Sequence, residues 1–121
     1  MFTFYYRVEW IIKSFYYKLK YSYQRAIRGY DDNAKWDLSH TLAELVCKVT
    51  SDMADNSVGY PSKVGEKKWR EILEQISFGF GSYLEMESGN YLYDDKEYKN
   101  LDKDFNKGLK LFVKYYRDLW D

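Results

Sequence analysis

Cysteine, histidine and proline are nearly missing from this chain of 121 residues, which has one of each. A single cysteine, Cys47, excludes a disulfide scaffold within the chain and any multi-cysteine zinc or iron–sulfur centre. A single histidine, His40, removes every metal motif that needs a histidine pair. With one proline and seven glycines, the composition is not that of a collagen-like or low-complexity chain. Net charge is missing too, with 19 Lys+Arg against 19 Asp+Glu. No stretch reaches the roughly 18 uncharged apolar residues that a spanning helix needs. The opening run MFTFYYRVEWIIKSFYY is interrupted by Arg7, Glu9 and Lys13, and no small-residue cleavage site follows, so it does not read as a signal peptide. These absences predict a soluble, intracellular chain, to which a free Cys47 fits. The length suits one domain, 1–121, able to bury about two-thirds of its unfolded surface.

What is abundant is aromatic: 21% of residues, 14 of them Tyr. AT-rich codon usage explains that total as readily as function does, so only the placement of the rings is informative. Charge is also placed unevenly. Residues 1–30 hold six cations and one anion, and residues 31–60 hold two cations and six anions. The neutral total therefore hides a basic first segment beside an acidic second one, as two mutually attracting helices would show.

Periodicity predicts four helices. The first runs from about Thr3 to Ile27, with Val8, Ile11, Ile12, Phe15, Leu19, Tyr23, Ala26 and Tyr30 on its core stripe and Gly29 as its C′ residue. The second runs from about Asn33 to Ala54, capped by Asp31 or Asp32. Its expected core stripe is Leu38, Leu42, Leu45, Val46, Val49 and Met53. A loop, DNSVGYPSKVG, follows over 55–65. The third helix, about Glu66 to Leu84, places Trp69, Ile72, Leu73, Ile76 and Phe80 inward, with Gly79 and Gly81 permitting a close helix contact. The fourth, about Asp95 to Trp120, opens on a capping box between Asp94 and Glu97. Leu101, Phe105, Leu109, Phe112, Val113, Tyr116 and Trp120 form its core stripe. No segment alternates with period two. The expected fold is all-α, a four-helix bundle-like single domain.

Two faces exceed what such a bundle needs. Opposite the core stripe of the first helix lie Tyr6, Trp10, Lys13, Tyr17, Lys20, Tyr21, Gln24 and Arg28, where aromatics alternate with cations. Such a face can stack bases and neutralise phosphates, or be buried by another protein or a second subunit. Membrane-surface helices divide their faces more cleanly. The expectation is burial by a partner, with a dimer or larger species formed through Tyr6, Trp10, Tyr17 and Tyr21. The last helix gathers Lys96, Lys99, Lys103, Lys107, Lys110, Lys114 and Arg117 within roughly 80° of arc, over about 30 Å. Such a row can follow phosphates or an acidic protein surface. It is also what the ordinary solvated face of an amphipathic helix looks like. Its use of Lys rather than the planar Arg fork favours that second reading.

The search for catalytic chemistry is empty: no phosphate loop, dinucleotide fingerprint, nucleophile elbow or H-E-x-x-H is present. His40, Glu44 and Cys47 share a helix, but no second histidine or cysteine can close a metal site around them. His40 and Cys47 stand about 10 Å apart along the axis, beyond the reach of a nucleophilic pair. Glu71 and Glu74 form an E-x-x-E of the kind found in metal-dependent all-α nucleotide pyrophosphatases. Its E-x-x-D counterpart is missing, since Glu97 to Asp102 has the wrong spacing. No catalytic residue, metal or cofactor is expected.

The stretches RGYDDNAKWDLSHTLAELV (28–46), GYP (59–61), WREILEQI (69–76) and LFVKYYRDLWD (111–121) together resemble a family of small helical proteins encoded by bacteriophages. That family has an R-G-Y-[SD]-D element ahead of W-x-L, and its chains often end in L-W-D. The likeness covers roughly the last three-quarters of the chain; the aromatic start and 83–99 fit it less well. It brings no activity and no site residues with it. What it implies is a phage gene product acting in the host bacterial cytoplasm. By analogy with other small phage accessory proteins, the expected function is non-enzymatic binding of a host protein or a nucleotide signal, countering host defence. The alternatives are a structural or assembly component of the phage particle and a nucleic-acid-binding accessory protein.

Overall fold

A computed structural model describes residues 2–56, 59–88 and 95–120, with side chains from Tyr6 onward. Among these residues the protein is all-α, without a strand, and adjacent helices pack as in a bundle. The helices are α1 (Phe2–Arg28), α2 (Asp32–Trp36), α3 (Leu38–Asn56), α4 (Glu66–Glu87) and α5 (Asp95–Lys114), followed by a 3-10 turn at Tyr116–Asp118. The chain divides into two units, Met1–Thr41 and Leu42–Asp121.

In the first unit, α1 ends as its sequence predicts. Gly29 takes φ +85 and donates its N–H to the Arg25 carbonyl at 3.0 Å, a left-handed C′ position that costs glycine little. Asp31 then caps α2, its carboxylate accepting from the Ala34 N–H at 3.0 Å. The single second helix expected over 33–54 is instead two, broken at Asp37. There the backbone leaves the helical region (φ −144, ψ 74). The Asp37 carboxylate accepts from the His40 N–H and the Ser39 hydroxyl, restarting the chain as α3. Aspartate competes with the helical backbone in this way. No described residue of this unit is buried. The expected core stripe of α1 is therefore uncovered, with Ile12 63% and Phe15 62% exposed. A 27-residue helix accompanied by one of five residues, which meets only its C-terminal end, has no apolar face in its own unit long enough to cover that stripe.

The second unit has the core. On α4 the predicted stripe is correct throughout: Trp69, Ile72, Leu73, Ile76 and Phe80 are all buried. Against it α5 sets Phe105, Leu111, Phe112 and Tyr115. The two helices cross at Gly79 and Gly108. A Cβ built on Gly79 would lie 2.8 Å from the Gly108 Cα and 2.9 Å from the Asp104 carbonyl oxygen. Beside this crossing, Phe80 meets Phe105 and Phe112 edge to face, with ring centroids 5.6 and 5.4 Å apart. Trp69 meets Tyr115 in the same way at 5.7 Å.

On α3 the expected face is wrong. Ala43, Val46, Thr50 and Ala54 are buried, and Cys47 and Met53 pack on the core. Leu38, Leu42, Leu45 and Val49 are exposed. The reason is close packing against α4. The Ser77 hydroxyl donates to the Cys47 carbonyl at 2.8 Å, and a Cβ on Gly81 would meet the Cys47 Sγ at 3.5 Å. Small residues let the helices approach, and large ones are left outside. On α5, Phe105 and Phe112 point inward as expected, whereas Leu109, Val113, Tyr116 and Trp120 are exposed. The helix stops at Lys114 rather than Trp120, where the chain tightens into the 3-10 turn. The capping box proposed for Asp94 lies outside the described residues.

Two sets of substitutions test this packing. Gly79→Ala forces two backbones apart and should cost about 1–3 kcal/mol. Gly81→Ala meets only ordinary contact and should gain up to about 1 kcal/mol from helix propensity. Ile76→Ala, at a fully buried site, should cost about 2–5 kcal/mol, while Leu45→Ala, 58% exposed, should cost far less. Urea unfolding followed by tryptophan fluorescence measures all four. Equal losses for Gly79→Ala and Gly81→Ala would refute the close crossing.

Candidate functional surfaces

Two sets of residues carry the candidate chemistry, one in each unit. On α1, Trp10 stands 70% exposed, and Tyr6, Lys13, Tyr17 and Lys20 are also solvent-facing. The rings are ordered among themselves. Tyr17 stacks on Tyr21 at 6.0 Å and meets Tyr16 edge-on at 5.5 Å. Lys13 pairs with Glu9 one turn back at 3.0 Å, an exposed i,i+4 pair of small energetic weight.

The C-terminal part of this face is engaged by the chain itself. The Gln24 side-chain amide donates to Asp32 Oδ2 and accepts from the Asp32 N–H, both at 2.9 Å. Arg28 donates to Asp32 Oδ1 at 2.7 Å and to the Tyr30 carbonyl at 3.0 Å, and its guanidinium lies 4.4 Å from the centre of the Tyr30 ring. Lys20 reaches Asp32 at 4.0 Å, and Arg25 pairs with Asp31. Lys20, Gln24 and Arg28, read from sequence as ligand-binding, thus hold α2 against the end of α1. The open surface contracts to Tyr6, Trp10, Lys13 and Tyr17 with Tyr21 behind them. The missed signal was local: two aspartates just past Gly29 are within reach of polar residues in the preceding two turns.

These contacts lower both aspartate pKa values. For Asp31 the largest cause is the Ala34 N–H bond, then the hydrogen bond from Arg25. For Asp32 it is the Gln24 amide, then Arg28.

On α5, Lys96, Lys99, Lys103, Lys107, Lys110 and Lys114 are all exposed, on the side away from Phe105, Gly108 and Phe112. Arg117, expected to extend this row, lies in the 3-10 turn and leaves the helical register. Among the described residues none of the lysines from 96 to 110 makes an ion pair. Lys114 lies 5.3 Å from the Tyr115 ring centre. The surface over Lys99–Lys110 is lined by one convex helix alone, so it is an open track rather than a pocket.

Of the four segments on which the sequence resemblance rests, 59–61, 69–76 and 111–121 lie in the second unit, and 28–46 lies mostly in the first. Gly59, Tyr60, Pro61, Asp118 and Trp120 enclose a cavity of about 120 Å³. A neighbouring one of about 20 Å³ shares Gly59 and Tyr60 and is bounded by Trp69, Glu66 and Arg70. The Trp69 indole N–H is buried there and has no acceptor among the described residues. Ligand pockets usually measure about 300–1,000 Å³, so these cavities are too small for a nucleotide. Cys47 and Ser77 are core neighbours, with Sγ and Oγ 3.7 Å apart. Glu71 and Glu74 are exposed on α4. Among the described residues no helix is long and apolar enough to cross a membrane. Comparison of the chain with protein-family models, curated proteins and solved structures gives no match.

The sign of the aspartate shifts makes a prediction. Folded-state values below the ordinary 3.8 mean that the junction's stabilisation is complete above the ordinary carboxylate range. It is lost as pH falls through the depressed values. Carboxyl-carbon NMR titration should give midpoints below 3.8 for both residues, and Gln24→Leu should move that of Asp32 back upward. A normal midpoint for Asp32 would mean that the junction does not form in solution.

Proposed function

We propose that this chain is a non-enzymatic binding protein. On this reading it is a phage accessory protein that occupies a host protein in the bacterial cytoplasm and thereby counters host defence. The observation that carries it is the run of exposed rings Tyr6, Trp10 and Tyr17 on α1, with the half-buried Tyr21 stacked on Tyr17. Exposed aromatics over successive turns are the residue types that dominate protein–protein contact energy. The pairing of Lys20 and Arg28 with Asp32 engages two cations that a phosphate-binding use of this face needs. That favours a protein over a nucleotide signal. The phage setting rests on the sequence resemblance alone.

The test is a pull-down from phage-infected bacteria, with mass spectrometry of proteins and small molecules, using the unaltered chain and Trp10→Glu/Tyr17→Glu. A host protein captured by the first and lost by the second is the expected result. Retention by the double variant would overturn the assignment to α1. A virion protein would favour the assembly reading, and a nucleotide would restore the signal reading.

The unpaired lysine row supports a second reading, nucleic-acid binding through Lys103, Lys107, Lys110 and Lys114. For duplex DNA, log K would then fall with log salt at about −0.9 per phosphate neutralised. Changing all four to Gln should flatten that slope by several units with the fold intact. Absence of binding at low salt, where such contacts are strongest, would remove this reading.

A further inference from the structure

Within the second unit, the loop ahead of α4 and the turn after α5 meet around a cavity of about 120 Å³, lined by Gly59, Tyr60, Pro61, Asp118 and Trp120. Backbone hydrogen bonds hold both walls. On the loop side, the Pro61 carbonyl accepts from the N–H groups of Val64 and Gly65 at 3.0 and 3.1 Å, and Val64 packs on the core. On the other side, Leu119 has φ −82 and ψ 67, and the Trp120 N–H donates across it to the Asp118 carbonyl at 2.9 Å. This is an inverse γ-turn. Leu119 packs on the core, so the turn is anchored there while the residues on either side of it line the cavity.

The chemistry of the walls favours one sign of charge. Tyr60 and Trp120 bring two exposed aromatic rings, and Asp118 brings a half-buried carboxylate. Among the described residues no side chain pairs with that carboxylate. No lysine or arginine is among the lining residues. The face of an aromatic ring attracts an ammonium or guanidinium group, Trp and Tyr most strongly. A carboxylate beside it adds a charge-assisted hydrogen bond. An anion would be repelled by Asp118, and a neutral apolar group would strip water from the carboxylate and give it no partner. Size narrows the ligand further. At about 30 Å³ for each water in the liquid, the cavity has the room of about four waters. That admits the end of a side chain and not a whole cofactor.

We propose that this notch takes the cationic end of a lysine or arginine side chain from a protein partner, with Asp118 pairing the charge and Tyr60 and Trp120 flanking it. The site is separate from the ring run on α1, so either assignment can fail without the other.

The test is an NMR titration of the isotope-labelled chain with the Nα-acetyl methylamides of lysine and arginine. At millimolar concentrations either should give saturable shifts at the Trp120 indole N–H and the Gly59 and Tyr60 amides, leaving the Trp10 and Trp36 indoles unmoved. The norleucine derivative, an uncharged control of similar length, should give none. Asp118→Asn should weaken binding about tenfold, the loss of one charge-assisted hydrogen bond. Trp120→Leu should weaken it about threefold, one cation–π contact at an exposed site. Trp120 is 72% exposed, so this second variant keeps its fold even if the first does not, and unchanged amide signals over 69–80 verify that. Equal shifts with the norleucine derivative would make the notch merely apolar and overturn the proposal. Undiminished binding by either folded variant would overturn it too, as would the absence of saturable shifts with both cations. Putrescine binding more tightly than the lysine derivative would assign the cavity to a free diamine and overturn the protein partner.

Discussion

The approach of Gly79 to Gly108 sets the arrangement of everything around it in the second unit. With no Cβ on either side, α4 and α5 touch backbone to backbone, and a methyl group on Gly79 would fall within 2.8 Å of the facing Cα. Helices held that close have little room between them for large side chains at the crossing. The bulk is displaced to either side, where Phe80 interlocks with Phe105 and Phe112, and Trp69 with Tyr115. Fixing the rotation of α5 in this way also fixes where its charges point. Once Phe105, Gly108 and Phe112 are inside, the lysines at 96, 99, 103, 107, 110 and 114 have only solvent to face. The basic track is a consequence of the glycine contact, whether or not anything binds it.

The first unit is held on a different principle. Its lasting contacts are polar: the amide of Gln24 bridging both ends of Asp32, and Arg28 spanning Asp32 and the Tyr30 carbonyl. Such bonds fix geometry well, but each exchanges protein for water as partner and yields little net free energy. Hydrophobic burial, the dominant driving force of folding, is nearly missing from residues 6–41. The unit thus has a determined joint between α1 and α2 without a core of its own, and the stability of α1 depends on what its apolar side meets.

The sequence was legible where burial follows size. On α4 every large apolar residue of the periodic stripe is inside, because that helix lies against both of its neighbours in the unit. On α3 the same rule picked Leu38, Leu42, Leu45 and Val49, all exposed, and passed over Ala43, Thr50 and Ala54. Small residues bury because they allow close approach, and no hydropathy pattern marks them. The kink at Asp37 was hidden for a related reason: apolar spacing runs on through it, and only the aspartate's competition for backbone N–H groups breaks the helix. The aromatic–cation face was legible as a pattern. Its division into an open half and a half bound to Asp32 was not, because that depends on the turn at Gly29 bringing residues 31 and 32 back along α1.

The two candidate surfaces differ in what it costs to order them. A lysine loses as much as about 2 kcal/mol of rotamer freedom when it is fixed, and its ammonium gives up strong hydration. Six along one helix make a surface that attracts at a distance, within a screening length of about 8 Å in physiological salt, and holds weakly on contact. Trp10, Tyr17 and Tyr21 have two side-chain torsions each, and the two tyrosines are already stacked on each other. They offer large apolar area with little left to order, which is what a short-range, specific contact requires. The two surfaces thus suit different kinds of contact: a lysine row of this kind favours fast, salt-sensitive encounter, and rings of the α1 kind favour a slow-leaving one.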